Sequence, residues 1–193
     1  MHILPLMSTA DIERAFSSTR GILANVTPDE LSRPTPCQSW QVRELVNHII
    51  GTSFWFAAST NAGVAPAVEE IDYTGGDMVA TYDDGIARAV EAFGRTGALE
   101  KMITLPFGTL PGAAYLGIAT TDAFTHGWDL ARATGQSTDL DPELAAQLLD
   151  RSRMFIQPAF RGDDGKAPFG AEQPAPPNAT NADALAAFLG RKS

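Results

Sequence analysis

An internal disulfide is excluded, because the 193-residue chain holds a single cysteine, Cys37. The start, Met1-His2-Ile3-Leu4-Pro5, lacks the basic region of a secretory leader, and with that cysteine usage the expected location is the cytoplasm. Positive charge is scarce: 14 Lys and Arg against 23 Asp and Glu leave a formal charge of -9, and no basic run exceeds Arg191-Lys192. Nucleic acid and anionic membrane surfaces are therefore not expected as partners. Long apolar runs are missing too. The greasiest stretch, Leu45 to Ala58, is broken by Asn47, His48, Gly51 and Thr52, well short of the ~20 residues of a membrane span, so a soluble protein is expected. There is no Gly-rich phosphate loop, no G-x-S-x-G and no C-x-x-C, which leaves nucleotide hydrolysis, serine hydrolysis and dithiol chemistry without a motif. Neither convincing strand alternation nor a fixed-period repeat is visible.

What the chain does contain is 44% hydrophobic residues, enough for one domain spanning 1–193 with a sizeable core. Its 13 prolines mark where helices cannot run, and the gaps between them show where helices lie. Between Pro5 and Pro28, Thr9 is the expected cap of a helix carrying Ile12, Phe16, Leu23 and Val26 at helical spacing. Ser39 should cap a second, with Val42, Leu45, Val46, Ile49 and Phe56 on its stripe. After the Gly75-Gly76 loop, Asp77 should cap a third, with Val79, Tyr82, Ile86, Val90 and Phe93. Lys101 to Phe107 reads as extended. Pro111 opens a fourth helix, with Tyr115, Ile118, Ala119 and Ala133 on one face and Gly135 as its C-cap. Asp141-Pro142-Glu143 starts a fifth, bearing Leu144, Leu148 and Phe155, and Asn181 caps a short sixth with Leu185, Phe188 and Leu189. The Pro- and Gly-rich stretch between these two should be ordered loop. An all-α helical bundle follows from four amphipathic helices of similar length.

Three histidines are present. His2 falls in a terminus expected to be mobile, leaving His48 and His126. A lone histidine beside an apolar stripe is more often a hydrogen-bonded core residue than a ligand. His126, however, has company: at about 100° per residue, Asp122, His126 and Asp129 fall within roughly 60° of one another, on the face of Tyr115, Ile118 and Ala133. Carboxylates on an inward face are costly unless paired or bound to a cation, so this face is either solvated or functional. The i, i+4 spacing of Asp122 and His126 lets both side chains grip one ion, and His48 would add a third ligand if the second helix packs against the fourth.

These residues carry a resemblance. The segments T-P-C-Q-S-W-Q-V-R-E-L-V-N-H (Thr35 to His48), L-P-F-G-T-L-P-G (Leu105 to Gly112) and D-A-F-T-H-G-W-D-L-A-R-A-T-G (Asp122 to Gly135) resemble the metal-binding domain of mycothiol-dependent maleylpyruvate isomerases, in the DinB/YfiT-like superfamily. The single-domain actinobacterial members of that superfamily are the nearest in pattern. P-F-G at Pro168 to Gly170 and A-F-L-G-R at Ala187 to Arg191 extend the likeness over nearly the whole chain.

The resemblance implies a four-helix bundle, with short additional C-terminal helices, holding a divalent ion at His48, Asp122 and His126. Zinc is the first expectation, with nickel or another transition metal as alternatives. Family members place histidine or glutamate where this chain has Asp122, which reaches less far by one methylene; aspartate is still a competent oxygen ligand. The isomerase carries a second, C-terminal domain that contributes to its active site and this chain ends without one, so isomerase activity itself is not carried over. The enzyme reading is instead a metal-dependent small-thiol (mycothiol-type) S-transferase acting on an electrophilic small molecule, since a metal lowers the pKa of a thiol it binds. The alternative is a non-catalytic metal-binding or ligand-sensing bundle.

Four further residues are singled out. Asp129 either orients a ligand histidine or pairs with an arginine such as Arg43 or Arg132. Cys37 reads as a small buried hydrophobe rather than a thiol activated by a helix N-terminus. Trp40 and Trp128 read as core aromatics, either of which could line a pocket. Apolar surface left after bundle closure could support a homodimer.

Overall fold

A computed structural model describes residues 6–163 and 166–192. The expectation about His2 lies outside them. Six α-helices and one short hairpin follow in chain order: α1 (Thr9–Leu23), α2 (Val42–Ala62), α3 (Met78–Gly94), β1 (Met102–Leu105), β2 (Gly108–Pro111), α4 (Gly112–Thr134), α5 (Pro142–Phe155) and α6 (Asn181–Phe188). α1 and α2 each pack on both α3 and α4, while α5 packs on α6 and α6 on α4. Between them lies a core that includes Ile12, Phe16, Leu45, Ile50, Tyr82, Phe93, Tyr115 and Phe124. No helix among the described residues is long and apolar enough to cross a membrane.

Several helix ends follow from local chemistry as expected. Asp77 accepts from the Ala80 amide at 2.9 Å, Asp141 accepts from the Leu144 amide at 3.1 Å, and Gly135 closes α4 in a left-handed conformation at φ 71°. Others differ. The first cap is Ser8, not Thr9, because Asp11 reaches back to the Ser8 amide at 2.8 Å. α2 starts after Gln41 rather than Ser39: the Thr35 hydroxyl, 2.9 Å from the carbonyls of both Cys37 and Trp40, ties this stretch into a turn that must finish first. The sixth helix is capped by Thr180, whose hydroxyl accepts from the Asp183 amide at 3.1 Å, one residue before Asn181.

The extended stretch is half of a hairpin. β1 pairs antiparallel with β2, from Met102 opposite Pro111 to Leu105 opposite Gly108, and Pro106 and Phe107 make the turn. Four-residue strands are too short to display alternation, although Ile103 and Leu105 do point inward. Two expected core positions are exposed. Ile118 sits on the rim of α4 because Tyr115, Leu116 and Ala119 take the inward face, and Phe155 lies in the last turn of α5, with the Arg151 guanidinium over its ring. The loop between α5 and α6 is tied down by Arg161, which donates to the carbonyls of Gly170 at 2.9 Å and Phe188 at 2.8 Å.

One close helix approach lies beside His126. A Cβ on Gly127 would overlap the Thr19 side chain, whose hydroxyl donates to the Ala123 carbonyl at 2.7 Å. The closeness of α1 to α4 thus depends on Gly127, the residue after His126.

Candidate metal centre

His48 comes from α2; Asp122 and His126 come from successive turns of α4. Helix packing brings all three together. Oδ1 of Asp122 lies 3.7 Å from His48 Nε2 and 3.5 Å from His126 Nε2, and the two imidazole rings meet edge to face with centroids 4.6 Å apart. A tetrahedral ion with bonds of ~2.1 Å needs donors about 3.4 Å apart, which is close to both separations. His48 Nε2 and Asp122 Oδ2 are buried and have no hydrogen-bond partner among the described residues. A histidine satisfied by the core would have one. The donor set therefore fits a borderline cation such as zinc, with two imidazole nitrogens and one carboxylate oxygen.

Electrostatics tie these groups tightly. Burial works to raise the Asp122 pKa, but the imidazoles of His126 and His48 outweigh it and hold the carboxyl well below the usual carboxylate range. Burial likewise opposes the charged form of His126; Asp122 and Asp129, on either side of its ring, overcome that and raise it well above the ordinary histidine value.

Asp129 is fully buried and touches both kinds of partner that the sequence left open, a histidine and an arginine. Its Oδ2 lies 3.0 Å from His126 Nδ1, and its arginine partner is Arg191, with Nη2 3.0 Å from Oδ2 and Nε 3.2 Å from Oδ1. Arg43 instead pairs with Asp72 at 3.0 Å, and Arg132 lines a cavity of about 430 Å³ between α4 and α6. Burial pushes the Asp129 carboxyl up; the Arg191 charge and the hydrogen bonds of His126 and Arg191 bring it well below the usual range. Because a carboxylate can only accept, Nδ1 keeps its proton toward Asp129 in either charge state of His126, and loss of the Nε2 proton would free that lone pair for a cation between Asp122 and His48.

Cys37 lies four residues before the Gln41 cap, too far out to feel the α2 N-terminus. Its thiol donates to Asp129 Oδ2 at 3.3 Å, and burial pushes its pKa up. Cys37, His126 and Asp129 form a second cluster of potential ligands. There, however, the Arg191 guanidinium already supplies the cation, 3.8 Å from Cys37 Sγ.

Trp40 walls the first cluster, with its ring centroid 4.6 Å from that of His48 and 5.6 Å from that of His126. Trp128 points elsewhere and donates its indole N–H to Asp183 at 2.9 Å. Sequence reasoning missed Arg191 and the buried hydroxyls of Tyr82 and Tyr115, which have no hydrogen-bond partner among the described residues. For Arg191 the only signal was its place in the A-F-L-G-R segment. Burial, with Asp122 adding its charge, raises both tyrosine pKa values.

Residues 12–131 match the model of the mycothiol maleylpyruvate isomerase N-terminal domain family. Uncharacterized proteins from two strains of Mycobacterium tuberculosis are each 41% identical over 191 residues, covering 97% of this chain and 97% of their own length. Among solved structures, the crystal structure of the mycothiol-dependent maleylpyruvate isomerase superposes with a TM-score of 0.57 at 17% identity, covering 73% of this chain and 65% of that one. A mutant of the same enzyme gives 0.54 at 15% identity. At these identities the structural likeness speaks for the fold alone.

Proposed function

This chain belongs to the mycothiol maleylpyruvate isomerase N-terminal domain family, and on that premise we propose that it is a cytoplasmic, zinc-dependent transferase joining a small thiol of the mycothiol type to an electrophilic small molecule. His48, Asp122 and His126 would hold the ion, within one metal-binding domain spanning 1–193. The observation that carries this reading is the meeting of two imidazoles and a carboxylate around buried atoms, His48 Nε2 and Asp122 Oδ2, that lack partners among the described residues. The isomerase's own reaction is not transferred, because the match covers 65% of that enzyme.

A divalent ion held by three protein ligands lowers the pKa of a thiol bound in an open position, so that a thiolate is available near neutral pH. The chain's residues prepare the place. Asp129 orients His126 through Nδ1, Trp40 covers the imidazoles on one side, and Cys37, its thiol engaged with Asp129, is not the nucleophile. The test is elemental analysis of the purified protein together with a mass-spectrometric screen of mycothiol and other small thiols against electrophiles. Zinc-dependent conjugate formation is expected. Turnover that survives metal removal would overturn the mechanism, and zinc retention with no thiol consumed would favour a non-catalytic metal-binding or ligand-sensing protein.

A further inference from the structure

We propose that Arg191 is a positioning residue for the metal centre, holding the Asp129 carboxylate so that it fixes the ring plane and Nδ1–H tautomer of His126. This inference rests on the metal-site reading above, but it concerns a residue 62 positions from Asp129 and outside the family match at 12–131.

Asp129 is fully buried, and an isolated carboxylate there would be strongly unfavourable. Arg191 meets it in a two-point contact, Nε on Oδ1 and Nη2 on Oδ2. Such a fork fixes the carboxylate plane as well as supplying charge. Once that plane is fixed, Oδ2 presents an acceptor toward His126 Nδ1 at 3.0 Å, and Nε2 on the opposite edge of the ring faces Asp122. Without the guanidinium, the partners left to the carboxylate among the described residues are the imidazole and the weak thiol donor of Cys37. Both of those contacts fall on Oδ2, so the two-point hold on its plane is lost.

Arg191 is itself placed by the backbone rather than by the site. Gly190 takes φ 97°, and a Cβ there would collide with the backbone of Gly170. The Arg191 amide donates to the Ala186 carbonyl at 2.9 Å, and Arg161 clamps Gly170 and Phe188 nearby. The chain end is thus anchored independently of Asp129. Replacing the Arg191 side chain should leave α6 docked.

The experiment compares wild type, Arg191→Met, Arg191→Lys, Asp129→Asn and the Asp129→Asn/Arg191→Met double variant. Zinc affinity is read by competition with a chromophoric chelator, and the His126 tautomer by ¹⁵N NMR of metal-free protein at a pH high enough to leave the imidazole neutral. Arg191→Met should weaken zinc binding ~10–100-fold while the protein stays folded. Arg191→Lys should recover part of the loss, because it keeps the charge without the fork. In the Asp129→Asn background, Arg191→Met should change affinity by no more than about twofold, since the two residues act as one unit. With His126 neutral, metal-free wild type should show the Nδ1–H tautomer and Arg191→Met a mixture. Unchanged affinity and tautomer in Arg191→Met, or an equal loss in the Asp129→Asn background, overturns the proposal. If Arg191→Met does not fold, Arg191→Lys carries the test. Wild type that binds no zinc would overturn the metal-site reading, whereas the tautomer measurement would still decide the role of Arg191.

Discussion

Nε2 of His48 on α2 lies 3.7 Å from Oδ1 of Asp122 on α4, a cross-helix approach that, with the edge-to-face meeting of the His48 and His126 rings, assembles the three-residue cluster. Both residues also carry a buried polar atom without a partner among the described residues. Polar atoms left so in a core cost ~1–3 kcal/mol each unless something binds them. The arrangement therefore favours a ligand over a purely structural role.

About one zinc per chain should be retained by wild type, and His48→Ala combined with His126→Ala should abolish it. Asp122→Asn should weaken binding severely. Asp122→Glu should keep it, since glutamate supplies the same oxygen on a longer arm. Elemental analysis after extensive dialysis reads all of these, and stoichiometric zinc in the double histidine variant would show that the ligands lie elsewhere.

Cys37→Ser should leave thiol-dependent turnover per folded, zinc-loaded molecule unchanged, because the Cys37 thiol is engaged with Asp129 and raised in pKa by burial. Stability should fall slightly. A covalent adduct on Cys37 during turnover, seen by intact-protein mass spectrometry, would contradict this expectation.

Gly127→Ala should destabilise the protein by ~1–3 kcal/mol, because the added methyl meets the Thr19 side chain. In an unobstructed helix the same change would stabilise by up to ~1 kcal/mol, so the sign reports the closeness of α1 and α4. Thr19→Ala in the Gly127→Ala background should recover part of the loss. Urea denaturation of the four proteins in the cycle measures it.

The Asp141 carboxyl is pulled up by burial, but the Arg14 guanidinium at 2.6 Å and the Leu144 amide bring it below its ordinary value. A carboxyl with a depressed folded pKa contributes stability above its unfolded pKa of ~3.9 and loses that contribution as pH falls through the folded value. Wild type should therefore exceed Asp141→Asn by ~0.5–1 kcal/mol near pH 6, a small figure because Arg14 is partly exposed. The gap should narrow at pH 3. A gap that stayed constant across this range would show that the ion pair does not contribute.

What the sequence determined by itself is what depends on near neighbours along the chain. Asp77, Asp141 and Gly135 end helices through bonds within a few residues, and the i, i+4 spacing of Asp122 and His126 puts both on one face of any helix that forms there. The family was equally legible, because the segments around His48 and H-G-W-D carry it. Only the tertiary structure decided the rest. The start of α2 moved because the Thr35 hydroxyl stabilises a competing turn, and the pairing of the extended stretch went unseen because strands of four residues are too short to display alternation. The partner of Asp129 could not be read locally at all. Arg191, Arg43 and Arg132 have the same chemistry, and the choice among them rests on where Gly190 and the docking of α6 deliver the chain end. A buried carboxylate takes whichever cation the fold places within reach, and reach is a property of the packed chain, not of the order of its residues.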